Sequence, residues 1–197
     1  MAMSLALTAG SILLRRTAVR MSACLLFVAG PAAAAEECLG VEPERAGVAF
    51  EVKQAGTSFR GKFGRVGGSV CFEAMAVTRV EVWLEPASVD SGLPEIDAAI
   101  KDKDFFAAAQ YPRATYTSQS VEARGAGQVV HGTLDMKGRR RPLDVAFGID
   151  GSPARRSVTG TLRINRLDWG IGTGEWANTQ WLAGEVAVEF KAAFVRK

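Results

Sequence analysis

The chain has 197 residues, 48% of them hydrophobic, enough for one domain with a sizeable core plus an additional segment. Its formal charge is +3, but Arg15, Arg16 and Arg20 fall in the first 35 residues, a stretch with no acid. Without those three the 24 basic residues become 21, against 21 acidic ones, so the remainder is neutral and lacks the attraction on which nucleic-acid binding depends.

The opening stretch reads as an export signal. Its arginines precede or flank the apolar run in "MSACLLFVAG", and the small residues of "PAAAAEE" supply a cleavage site ahead of acidic residues. The run is too short to span a bilayer as a helix, which takes about 20 residues. Residues 1–35 are therefore expected to be a cleaved signal peptide, with residues 36–197 forming an exported, periplasmic domain. Two cysteines remain after the leader, Cys38 and Cys71, and in an oxidising compartment an even pair points to a disulfide. Closing that loop stabilises by roughly 3–4 kcal/mol on the chain-entropy account. Two separate thiols are the alternative; a zinc site built on them alone lacks the four ligands zinc usually takes.

From about residue 46 the pattern alternates. In "VAFEVK", Val48, Phe50 and Val52 share one face. In "SVCFE", Val70 and Phe72 face inward and Cys71 outward, where a segment carrying Cys38 is expected to lie over it. "TRVEVWL" sets Val80, Val82 and Leu84 on one side. Alternation then stops: "LPEIDAAIKDKDFF", residues 93–106, reads as a short helix with Pro94 in its first turn, ended by Tyr111-Pro112. Strands resume with Tyr116 inward in "ATYTS", then Val130, Leu134 and Met136 in "QVVHGTLDM". Past the basic turn at residues 137–141, "PLDVAFGID" holds Leu143, Val145, Phe147 and Ile149 in phase. Val158, Leu162 and Ile164, and finally Val186, Val188, Phe190 and Phe194, complete the pattern. One apolar face per strand means an antiparallel sheet with a wet outside, and about eight such strands mean an all-β barrel or sandwich. A helix with bulky apolar residues can border the open end of a barrel, which places Phe105 and Phe106 against the core or against whatever fills it.

Catalytic chemistry finds little to work with. His131 is the lone histidine and falls on the outer phase, so a two-histidine metal site is excluded. The glycine-rich "GIGTGEW" does not join a strand to a helix in a βαβ unit and is not a phosphate loop. Asp102, Lys103 and Asp104 read as an exposed helix end, and Trp169, Trp176 and Trp181 as packing near a barrel end. The turn at residues 137–141 reads as solvated, with a pyrophosphate or membrane-surface contact as the sharper alternative.

Several stretches in order resemble the YceI-like family of periplasmic lipid-binding proteins: "FEVKQAGTSFRGKFGRVGGSV", "IKDKDFFAAAQYPRATYTSQSV", "VHGTLDMKGRRRPLDVAF" and "TGTLRINRLDWGIGTG". The resemblance covers roughly residues 43–195; the Cys38/Cys71 pair is not part of the pattern. It implies an extended, lipocalin-like antiparallel barrel of about eight strands whose interior holds a long isoprenoid chain of polyprenyl or quinone type, without a cofactor. The residues expected to line it are the inward phase, Phe50, Val52, Phe63, Phe72, Val82, Tyr116, Leu134, Phe147, Leu162, Ile164 and Val188, with Phe105 and Phe106 added from the helix. The same side chains can instead pack a filled core, as in a stress-related or redox-partner scaffold. Burying about ten methylene equivalents is worth on the order of 8 kcal/mol before association costs, so carriage needs no catalyst. The expected partner is therefore the isoprenoid lipid, and an exposed strand edge leaves a homodimer open.

Overall fold

Alternation at a period of two organises nearly the whole chain. The computed structural model describes residues 35–195, so the expected leader lies outside the described residues but for its last position. Eleven strands are present: β1 (Glu37–Gly40), β2 (Gly47–Gln54), β3 (Thr57–Phe63), β4 (Val66–Glu73), β5 (Ala76–Leu84), β6 (Val89–Asp90), β7 (Ala114–Arg124), β8 (Gly127–Met136), β9 (Arg139–Ser152), β10 (Arg155–Asn165) and β11 (Leu182–Val195). The helix α1 (Pro94–Lys101) interrupts them between β6 and β7. Every pairing is antiparallel, in the order β1-β4-β5-β7-β8-β9-β10-β11-β2-β3-β6. The sheet curls until its inner faces meet: Phe72 of β4, Tyr116 of β7, Phe147 of β9, Val158 of β10 and Phe194 of β11 share one core. The ladder itself stops at the short strands β1 and β6, leaving a barrel that hydrogen bonds do not fully close.

The expected count of about eight strands omits β1, β3 and β6. β3 alternates weakly because one of its inward positions is Gly61, which stands opposite Phe50 of β2. The Phe50 ring fills that place, and a Cβ on Gly61 would strike its Cζ at 2.5 Å. β1 and β6 have only four and two residues, too few for a periodic signal.

The strands define two ends. At one, here the floor, lie the turns β4–β5, β7–β8 and β9–β10 and the last residues of β11. The chain from β1 crosses this floor: Val41 donates its amide to Gly68 O and Glu42 to Ala193 O, both at 3.0 Å, bridging β4 and β11. Cys38 and Cys71 do form a disulfide. The segment carrying Cys38 lies beside β4 rather than over it, because its own backbone groups complete the ladder, with Cys38 opposite Cys71.

The other end carries α1, the β2–β3 and β8–β9 turns and the long β10–β11 connection. α1 starts with Pro94 in its first turn, as expected, with Glu95 and Asp97 near its N-terminus and Lys101 near its C-terminus, matching the dipole. It is shorter than the expected span of residues 93–106. Asp102 turns its carboxylate to the Lys103 amide at 2.7 Å, a local bond that competes with continued helix. Phe105 and Phe106 therefore sit on the irregular turn after the helix, not on the helix.

Candidate functional site

Inside the barrel is a cavity of about 330 Å³, within the range of small-molecule pockets. Its wall is almost wholly aliphatic and aromatic, and among the described lining residues the titratable side chains are Tyr116, Arg166 and Lys191. Phe50, Val82, Leu134, Leu162, Ile164 and Val188 point inward yet keep intermediate exposure, because they face open space rather than neighbouring side chains. Close packing would have buried them.

Two polar groups on the wall, Tyr116 and Arg166, are already engaged. The Tyr116 hydroxyl donates toward Val130 O at 3.1 Å and Leu143 O at 2.9 Å, and burial, helped by Asp144, pushes its pKa well above the usual phenol value. Arg166 is 3% exposed. Its five N–H groups all go to backbone carbonyls: Nε to Ala183, Nη1 to Ile171 and Gly172, Nη2 to Trp176 and Leu182, at 2.6–2.9 Å. Burial lowers its pKa. These bonds fold the β10–β11 connection back over the barrel, and Gly172, at φ +74°, leaves room where a Cβ would collide with the guanidinium.

That folded connection meets the turn after α1. Gly172 and Thr173 donate their amides to Asp104 O at 2.8 and 3.0 Å. Phe105 packs on Trp176 with ring centroids 5.4 Å apart, and Phe106 meets Phe63 edge-on, also at 5.4 Å. The two adjacent phenylalanines thus point to opposite partners and together close the helical end. Asp104 is held here through its backbone, a role that the reading of residues 102–104 as a simple exposed end does not contain.

Of the residues expected to line the interior, Phe50, Val52, Phe63, Val82, Phe105, Phe106, Tyr116, Leu134, Phe147, Leu162, Ile164 and Val188 all face the cavity. Phe72 does not. It has the inward phase but is 0% exposed, covered by Phe194 at 5.4 Å and by the Arg156 guanidinium at 4.5 Å. Sequence reasoning missed Phe59, Ile96, Ile100 and Trp176 as lining residues, and Arg166 altogether. Phe59 was hidden with β3; an inward arginine breaks the apolar phase, so only its place in "RLDWGIG" marks it. Trp169 packs inside, donating Nε1–H to Leu134 O at 3.2 Å, whereas Trp181 is 53% exposed and does not pack. The basic turn is a two-residue hairpin at Lys137 and Gly138, both with positive φ, and Lys137 Nζ donates to Gly170 O at 2.8 Å.

Fold and cavity together define a lipocalin-like antiparallel barrel with an apolar interior. The chain belongs to the YceI-like family: residues 40–194 match its domain. A UPF0312 protein of Shewanella sp. (strain W3-18-1) is 33% identical over 156 residues, covering 74% of this chain and 82% of the relative. The crystal structure of Burkholderia cenocepacia BcnA superposes with a TM-score of 0.73 at 28% identity, over 78% of this chain and 98% of the other. A polyisoprenoid-binding domain from Saccharophagus degradans shares the fold at a TM-score of 0.64 and 17% identity, over 80% of this chain and 98% of that domain.

Proposed function

We propose that this chain is a non-enzymatic carrier that holds a long-chain isoprenoid lipid, of polyprenyl or quinone type, inside the barrel, and that it works in the periplasm after loss of residues 1–35. The observation that carries the reading is the cavity: inside the barrel, lined almost wholly by apolar side chains, with Tyr116 and Arg166 already hydrogen-bonded to backbone. A hydrocarbon entering it leaves the bonds of Tyr116 and Arg166 intact, so its burial is gained without stripping those two groups of their partners. The lining has no carboxylate, histidine or cysteine among the described residues, and a carrier needs none. The polyisoprenoid-binding domain of like fold supports the choice of ligand class, and the Cys38–Cys71 disulfide suits an oxidising compartment.

Native mass spectrometry and lipid extraction of the exported protein test this directly. A stoichiometric isoprenoid lipid is expected, lost in Phe147→Asp or Leu162→Asp while circular dichroism still reports the sheet. Protein that emerges empty and takes up no polyprenyl or quinone lipid in titration would overturn the reading.

A further inference from the structure

The disulfide joins a solvent-facing edge to the floor of the cavity. Cys38 is exposed on β1, while Cys71, directly opposite on β4, is buried, so a nucleophile has only one sulfur within reach. The Arg79 guanidinium lies across the pair, its Nη2 3.4 Å from the Cys38 sulfur and 3.2 Å from the Cys71 sulfur. The same Nη2 also pairs with Glu36 Oε2 at 3.3 Å. The cation, in direct contact with both sulfurs, favours a thiolate against the pull of that carboxylate, and a thiol of lowered pKa leaves faster in exchange.

What the disulfide holds is a short strand with a structural task. β1 has four residues, and its ladder partner is β4. Leu39 and, just beyond the strand, Val41 belong to the buried core of the floor. Glu37 reaches Arg156 at 3.3 Å, and Arg156 is 1% exposed. Arg156 covers the Phe72 ring, Phe72 packs edge-on against Phe194, and Phe194 faces the cavity. A contiguous set of contacts therefore runs from the sulfurs to the cavity wall. Without its covalent tie, a four-residue edge strand frays, and its departure exposes a buried guanidinium and the underside of the floor.

We infer that Cys38–Cys71 is a thiol-exchange site through which a dithiol partner loosens the floor and releases the apolar cargo. The partner's thiolate attacks the Cys38 sulfur, the bond to the Cys71 sulfur breaks, and Cys71 leaves as a thiolate beside Arg79. The partner's second thiol then displaces Cys38 from the mixed disulfide. The partner dithiol is oxidised to its disulfide, and its two electrons and two protons reside on Cys38 and Cys71. Cargo release rests on the carrier reading; loosening of the floor does not.

The test reduces the folded protein with dithiothreitol and follows two signals. Amide exchange over residues 37–42 should quicken about tenfold or more. Dissociation of a fluorescent polyene lipid, cis-parinaric acid, should quicken about threefold or more as the floor loosens. Arg79→Gln should slow reduction about tenfold while leaving exchange in the oxidised protein unchanged, a response that a purely structural disulfide lacks. The Cys38→Ser/Cys71→Ser protein should behave as the reduced wild type does. Unchanged exchange over residues 37–42 after complete reduction, or unchanged dissociation of bound probe, overturns the inference. Protein that takes up neither the probe nor a polyprenyl or quinone lipid in either redox state overturns the carrier reading and with it cargo release, and the exchange signal then decides the floor by itself.

Discussion

At the floor of the barrel the chain is tied by a disulfide, by the contact of Glu37 with the buried Arg156, and by close packing of Phe72 on Phe194. At the helical end no covalent tie is present among the described residues. Closure there comes from two backbone bonds to Asp104 O, the contact of Phe105 with Trp176, and one arginine that organises a loop. The difference concerns what each closure responds to. Aromatic contacts over a half-buried turn open by thermal fluctuation, on the timescale of loop motion. A disulfide opens only to a reductant. If the barrel carries a lipid as proposed, slow exchange by fluctuation belongs to the helical end, and faster release through the floor waits for a reductant.

The largest expected effect lies in the arginine at the helical end. Arg166→Met leaves five buried or half-buried carbonyls without donors, and should lower stability by at least about 3 kcal/mol in urea unfolding. Arg166→Lys should not rescue it, since an ammonium offers three donors where the guanidinium fork supplies five. A loss below about 1 kcal/mol in either variant would mean that the β10–β11 connection is held by something else.

Next comes Phe105→Ala, which removes the ring against Trp176 from a half-buried site. It should cost about 2 kcal/mol, below the fully buried range because part of the ring already meets solvent. It should also speed both uptake and release of cis-parinaric acid in the oxidised protein. If uptake is unchanged, the helical end is not the route, and the contrast between the two ends fails. At the floor, Glu37→Gln keeps the shape and removes the charge beside Arg156, and should cost about 1 kcal/mol with little change in uptake. Equal effects of Phe105→Ala and Glu37→Gln on uptake would make the two ends equivalent.

These two ends were unevenly legible in the sequence. The wall between them was plain, because apolar residues at a period of two have one physical reading, and the side chains so placed do face the cavity. The closures were not. Arg156 and Arg166 occupy inward positions, where a charged residue reads as an interruption; the carbonyls that satisfy most of their donors are backbone groups with no signature in residue type. Phe72 has the right phase, but its place behind Phe194 depends on where β1 crosses the floor, and four residues do not announce a strand. The cysteines could be paired by count and compartment, yet their side-by-side register follows from backbone hydrogen bonds that no residue type encodes. Phe105 and Phe106 were rightly set at a barrel end, but Asp102 stops the helix before it reaches them.

The smallest effect belongs to the outer wall, and it tests whether the two ends are independent of the strands between them. His131 of β8 lies between Asp144 of β9, 2.8 Å from Nδ1, and Glu122 of β7, 3.1 Å from Nε2. The hydrogen bond to Asp144, then that to Glu122, raises its pKa above the ordinary value. A group whose pKa is raised by folding stabilises the fold fully below its unfolded pKa, about 6.5, and loses that contribution as pH climbs through the folded value. The urea midpoint of the wild type should therefore fall slightly between about pH 6 and pH 8, and His131→Gln should flatten that slope. A wild-type profile with no decline would show that solvent screens the cluster completely. Neither amide exchange over residues 37–42 nor the dissociation of bound probe should respond to His131→Gln, because the cluster lies on the outside of β7, β8 and β9 and touches neither closure. A response in either signal would mean that the wall transmits strain between the ends, and that floor and helical end must be treated as one coupled device.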